Sequence, residues 1–355
     1  MQKLRSLETL RAVAALLVVS FHAPIILGIP FTELPFSNIV HSSYRGVDLF
    51  FVLSGFIIAH VHIADVGRPW RLGNYVFNRL TRIYPAAWIM TVLASILSAA
   101  GLGIRDAAIS PGIWNDAASI FFLPQEGDAI LNVTWSLKYE LVFYVFFAGL
   151  ILNRPLGAAL LGMWQLAVLT VALTSRFEAF GLAGFYLRPI SLEFGVGLAC
   201  AWLVAQPRFV VAMQAGLLQW GLLALGVVAF IGAMAMDRHA HLTDACSALG
   251  AGIIIVALVE LERSARLWVP EMLVMLGDAS YAIYLVHYSA ISLLAYVLVR
   301  VHAGPMPVML YVPAVAFGVV AGIAFDRAFD RPVQRLLRAR LKVALLGGTA
   351  QSRVA

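Results

Sequence analysis

Charge is scarce in this chain. Asp, Glu, Lys and Arg make up 12% of its 355 residues, about half the share of an ordinary soluble domain. That scarcity excludes a fully solvated globular surface. Cysteine is scarcer still: Cys200 and Cys246 are the only two, and neither has ligand-like neighbours. A disulfide framework and a cysteine metal site are therefore not indicated, and both residues read as small packing groups. Linkers, low-complexity tracts and internal repeats are lacking as well, so the chain reads as one integral unit over 1–340 followed by a short tail, 341–355. The first apolar stretch has no small-residue cleavage site and carries Glu8 and Arg11, which argues against a removable leader.

What the chain has in abundance is hydrophobicity: 61% of its residues are apolar and the mean hydropathy is +0.88. About ten spans of membrane-crossing length can be marked, at 7–27, 46–63, 85–103, 137–152, 156–174, 185–204, 217–236, 245–260, 280–300 and 308–326. The expected fold is an all-α, polytopic transmembrane helical bundle. With the N-terminus inside, the cytoplasmic segments hold Lys3, Arg5, Arg68, Arg71, Arg79, Arg82, Arg154, Arg208, Arg263 and Arg266, and the tail adds Arg331, Arg335, Arg338, Arg340 and Lys342. The longest opposite loop, 104–136, is acidic. This bias places both termini in the cytoplasm. The net charge of +6 is then a topology signal that calls for no nucleic-acid partner, and the basic, apolar tail is suited to lie on anionic membrane lipids.

Ionisable groups inside apolar spans are costly, ~2.5–3.5 kcal/mol for Arg on insertion scales, so their positions carry information. Arg11 and His22 are eleven residues apart in the first span, about three turns plus 20°, which lines them up on one helical face roughly 16 Å apart. They either line a polar path or serve as a snorkelling anchor and a helix-to-helix hydrogen bond. In the second span Asp48, with Arg45 close by, is a candidate for holding a cation or a sugar hydroxyl, and Ser54-Gly55 offers a small packing surface. His60 and His62 fall on opposite helical faces, against a metal pair. His239 and His241 share a loop with Asp237 and Asp244, a weak metal signal. Arg79 and Arg82 share one side of a short helix ending before Pro85 and suit either phosphate or plain interfacial anchoring. Glu140 lies one turn into an apolar span, with Arg11, Arg45 or His22 as its expected partner. Arg188 and Glu193 read as an ion pair between helices. Trp135, Tyr139 and Tyr144 suit stacking on sugar rings or anchoring at the membrane interface.

Several motifs occur in a telling order. The Arg11/His22 pair is followed by Gly46-Val-Asp-Leu-Phe-Phe-Val-Leu-Ser-Gly-Phe56, Arg79-Leu-Thr-Arg-Ile-Tyr-Pro85 and Trp135-Ser-Leu-Lys-Tyr-Glu140. Then come Leu192-Glu-Phe194, Leu276-Gly-Asp-Ala-Ser-Tyr-Ala-Ile-Tyr-Leu-Val-His287 and Asp330-Arg-Pro332. The chain resembles the acyltransferase family 3 membrane proteins, especially stand-alone exopolysaccharide and O-antigen O-acetyltransferases, from about Leu7 to Arg338. It departs in having Asn78-Arg79 where many relatives have two basic residues, Asp330 where a glutamate is usual, and no appended esterase-like domain.

The resemblance implies acetyl transfer in a bacterial inner membrane, from cytoplasmic acetyl-CoA to a hydroxyl of a glycan acceptor, without a metal. His22 would be the general base or, alternatively, the nucleophile, with Arg11 and Glu140 as further catalytic residues. Arg79 and Arg82 would bind the CoA phosphates, and Asp48, Arg45, Trp135 and Tyr139 the acceptor. The rivals are a transporter or flippase with charged relays, against which the lack of inverted repeats counts, and a non-enzymatic glycan-binding scaffold.

Overall fold

The structure is a computed structural model that describes residues 4–102, 113–125, 129–174, 177–236, 241–301 and 304–340. The tail 341–355 and the loop residues Asp237 and His239 lie outside them. The described residues form helices joined by short turns and loops, without strands, as backbone groups in an apolar surround require. In chain order the helices are α1 (Arg5–Leu27), α2 (Ser37–His41), α3 (Gly46–His62), α4 (Leu72–Ala99), α5 (Ile113–Phe121), α6 (Trp135–Leu152) and α7 (Arg154–Thr174). They continue with α8 (Leu192–Leu203), α9 (Pro207–Ala212), α10 (Gly216–Ala235), α11 (His241–Arg263), α12 (Glu271–Asp278), α13 (Ser280–Val301) and α14 (Tyr311–Phe325). A π-helical turn at Asp326–Asp330 leads α14 into a last helical run to Arg340.

Among the described residues, nine helical stretches are long and apolar enough to cross a membrane, and the chain is a multi-pass membrane protein. The stretch expected as a span at 185–204 is broken. Short 3-10 turns precede the 12-residue α8, because Pro189 has no N–H to continue a ladder. The expectation that the Arg79/Arg82 helix ends before Pro85 also fails, since α4 runs through Pro85 for 28 residues. Pro85 removes one backbone donor there, while the Tyr281 hydroxyl donates to the nearby Ile83 carbonyl at 2.7 Å.

α1 is the central element and touches α3, α11, α12, α13 and α14. Its N-terminus would leave free backbone donors in an apolar setting. Glu262, near the end of α11, fills that role by accepting from the Arg5 and Ser6 N–H groups at 2.8 Å each. α3 and α8 approach closely because a Cβ on Gly55 would meet the Phe194 backbone, and one on Gly197 would meet that of Val52 and Phe56. This contact brings the first turn of α8 against the helix that carries Asp48 and Ser54.

Candidate active site: two cavities of opposite charge

Two cavities lie side by side within the bundle. The first has about 860 Å³ of empty space and is lined by Arg11, Arg79, Arg82, Ser54, Ser136, Glu140, Tyr144, Tyr281 and Tyr284 among others. The second has about 700 Å³ and is lined by His22, Tyr44, Asp48, Trp135, Glu193, Asp244 and Tyr284. Val47 and Tyr284 belong to both walls, so the two spaces adjoin across them. α1 serves both: Arg11 lies ~9 Å along it and His22 ~26 Å.

The first cavity is an arginine cluster. Arg11 pairs with Glu8 one turn earlier at 3.1 Å. Arg79 donates from Nη2 to His62 Nε2 at 3.2 Å, and Asp65 holds the opposite ring nitrogen, Nδ1, at 2.8 Å. This chain fixes the guanidinium between the Tyr75 and Tyr144 rings. It also occupies both ring nitrogens of His62. Arg82 lies over the Tyr281 ring at 5.0 Å. No carboxylate of a described residue pairs with Arg79 or Arg82, which leaves two cations available to an anion. An arginine that only anchors topology would instead face lipid headgroups.

Glu140 sits in this cavity and pairs with none of Arg11, Arg45 or His22. The Ser54 hydroxyl donates to its Oε1 at 2.7 Å and the Tyr144 hydroxyl donates to the same oxygen. Hydroxyl donors satisfy the carboxylate where a cation was expected. Ser54 therefore has a polar partner, and the packing contact belongs to Gly55 next to it.

In the second cavity, His22 Nδ1 faces the Val18 carbonyl at 3.0 Å and His287 Nε2 at 3.1 Å, while His287 Nδ1 faces the Ile283 carbonyl at 3.1 Å. A carbonyl can only accept, so Nδ1 carries the hydrogen in both rings. His287 Nε2 is then an acceptor for His22, and His22 Nε2 keeps its lone pair. His287 is wholly buried. Asp48 accepts from Arg45 Nη1 at 2.9 Å and from Ser247 Oγ at 2.7 Å. Asp244 takes two further Arg45 contacts at 3.3 Å.

Arg45, 1% exposed, is thus committed to two aspartates and lines neither cavity. Tyr139 lines neither cavity as well: it is buried among aromatic rings, 4.2 Å from Phe185, and Arg188 hydrogen bonds its hydroxyl. Both are displaced from the expected acceptor contacts, because partners inside the bundle consume their polar groups. The ion pair to another helix expected for Glu193 is not formed. Glu193 has no hydrogen-bond or ion-pair partner among the described residues.

Tyr281, Tyr284 and His287 did not figure as candidates from the sequence. Their three-residue spacing along α13 was the available signal, since it puts them along one side of a helix. Tyr284 donates to the Val133 carbonyl at 2.7 Å and contacts Ser136 Oγ at 2.8 Å, which fixes the wall between the cavities.

Residues 4–327 match the family described as the acyltransferase domain. The chain is 30% identical over 321 residues to the exopolysaccharide production protein ExoZ of Rhizobium meliloti, covering 86% of this chain and 94% of that one. It is 24% identical to the peptidoglycan O-acetyltransferase OatA of Listeria monocytogenes, covering 93% of this chain and 56% of that longer one. No solved structure matches.

Proposed function

The chain belongs to this family of membrane acyltransferases, and on that premise we propose that it moves an acetyl group from cytoplasmic acetyl-CoA to a hydroxyl of an exported or cell-surface polysaccharide, or of its lipid-linked precursor, across a bacterial inner membrane. The observation that carries the reading is that the two cavities adjoin across Val47 and Tyr284, with free guanidiniums on one side and a free imidazole nitrogen on the other.

Arg79 and Arg82 hold the CoA phosphates by charge-assisted contacts, with Arg11 extending the positive wall toward the junction. The cytoplasmic placement of this end of α1 follows the positive-inside bias. Glu140, held by two hydroxyls, limits the repulsion among the three guanidiniums while the site awaits its donor. The thin pantetheine arm reaches past Tyr284 and delivers the thioester carbonyl to His22.

His22 Nε2 takes the proton of the acceptor hydroxyl as its oxygen bonds to the carbonyl carbon. The C–S bond then breaks, and the imidazolium returns that proton to the departing thiolate. His287 and the Val18 carbonyl keep Nδ1–H in place throughout and stabilise the charged ring. Nε2 would equally be the atom acylated in a two-step route. Trp135 and Asp48 border the space left for the acceptor.

The test is purified protein with radiolabelled acetyl-CoA and glycan. Label is expected on the glycan. Vectorial glycan movement without acetylation would overturn the proposal in favour of a transporter, and glycan binding with neither would favour a scaffold.

A further inference from the structure

Glu193 is unexplained by the reaction as described. It is the second residue of α8, where the helix N-terminus favours a negative charge. It is 4% exposed, lines the His22 cavity, and its Oε2 is buried without a partner. A buried carboxylate oxygen left without a donor is expensive. The neighbouring carboxylates are not in that state, since Asp48 and Asp244 share Arg45 and Asp48 also takes Ser247. No Lys or Arg among the described residues lines this cavity, and His22 is its one basic group. An anionic ligand would meet three carboxylates and no available cation. A hydroxyl-rich ring would find an open acceptor in Glu193 and a flat apolar face in Trp135.

We propose that Glu193 is the acceptor-binding residue of the outer cavity, and that the acceptor it takes is a sugar without negative charge, neutral or amine-bearing, rather than a uronate or phosphorylated one. This rests on the acetyl-transfer reading for its chemistry but not for its binding. Glu193 accepts hydrogen bonds from sugar hydroxyls next to the one that attacks. An acidic ring is excluded because its carboxylate would lose its water here with no Lys or Arg on the wall to pair with it.

The experiment uses the full chain in lipid nanodiscs, without donor, and saturation-transfer NMR against three oligosaccharides of matched length: gluco-, glucosamine- and galacturonate-oligomers. The first two are expected to bind at least roughly tenfold more tightly than the third, and Glu193→Gln to lose about tenfold of that affinity while CoA affinity stays the same. Glu193→Asp, which keeps the carboxyl group but shortens the reach, is expected to fall between. Equal binding of galacturonate, or no binding of any of the three, overturns the proposal, and the wild-type comparison stands even if the variants fail to fold. Selective binding with no acetyl transfer on adding acetyl-CoA would sink the enzymatic reading and leave the Glu193 assignment intact.

Discussion

The two cavities hold their charges in opposite ways. In the arginine cavity, Arg11 is tied to Glu8, while Arg79 and Arg82 rest on an imidazole and on aromatic rings and keep their positive charge free. In the His22 cavity the nearby guanidinium, Arg45, is consumed by two aspartates, and a carboxylate, Glu193, is what remains. Residues paired about one turn apart in sequence, Arg11 with Glu8 along α1 and Arg45 just before α3 with Asp48 in its first turn, answer each other as the local structure forms. The groups left for a ligand are those whose partner the fold withholds. Under the proposed function, that difference would sort a phosphate-rich donor and an uncharged acceptor to opposite sides of Tyr284.

The comparison breaks most readily at His22. Replacing it by Ala is expected to lower turnover by at least 100-fold, the lower end of the ~10²–10⁴-fold that such groups contribute, with insertion and folding retained. Retention of more than about a tenth of wild-type turnover in the purified variant would remove both the general-base and the nucleophilic roles.

The next largest effect tests the arginine side alone. The double variant Arg79→Glu, Arg82→Glu is expected to raise the KM for acetyl-CoA by at least about thirtyfold, given ~1.5–3 kcal/mol per charged hydrogen bond, and to leave acceptor binding in place. If the correctly inserted protein binds CoA like wild type, both arginines are topology anchors and the asymmetry between the cavities has no part in donor selection.

A smaller effect is expected at His287, which touches no substrate and positions His22. His287→Leu removes the acceptor beside Nδ1 and should reduce kcat roughly tenfold, the worth of one hydrogen bond of about 1–1.5 kcal/mol. His287→Gln offers an amide oxygen at a similar reach and should restore most of that loss. A pH–rate profile that shifts in Leu and returns in Gln marks the positioning role. Equal loss in both variants, with unchanged profiles, would reduce His287 to packing.

The bundle and the Arg11–His22 line were legible in the sequence because hydropathy and helical period are local properties. Asp48, Glu140, Arg79 and Arg82 stood out for a related reason: an ionisable group in an apolar run is visible one residue at a time. Their partners were not visible. The Ser54 and Tyr144 hydroxyls on Glu140, the His62 relay behind Arg79 and the His287 contact to His22 depend on which helices meet, and a single chain does not encode that in any local pattern. Arg45 and Arg188 drew attention by their charge, yet the fold uses them inside the bundle, on Asp48 and Asp244 and on the Tyr139 hydroxyl. α8 was overextended because hydropathy registers apolarity but not the missing donor at Pro189.

Tyr139 gives the smallest expected effect and the sharpest check on where the acceptor cavity ends. By type and motif position it suits sugar stacking, but its ring is filled on one side by Phe185 at 4.2 Å and bordered by Phe51 at 5.9 Å. At 1% exposure it has no face left for a ligand. Tyr139→Phe keeps those ring contacts and deletes only the oxygen that accepts from Arg188. The expected outcome is a stability loss of about 1 kcal/mol, read by thermal melts in detergent, with the KM values for acceptor and acetyl-CoA both within about twofold of wild type. Trp135, one turn away on the same helix and on the cavity wall, supplies the contrast: its replacement by Leu should weaken acceptor binding, since stacking on a sugar needs an open face. A tenfold rise in acceptor KM for Tyr139→Phe would mean that the glycan reaches behind Trp135 into the aromatic cluster, and the boundary drawn here between lining and packing residues would have to move.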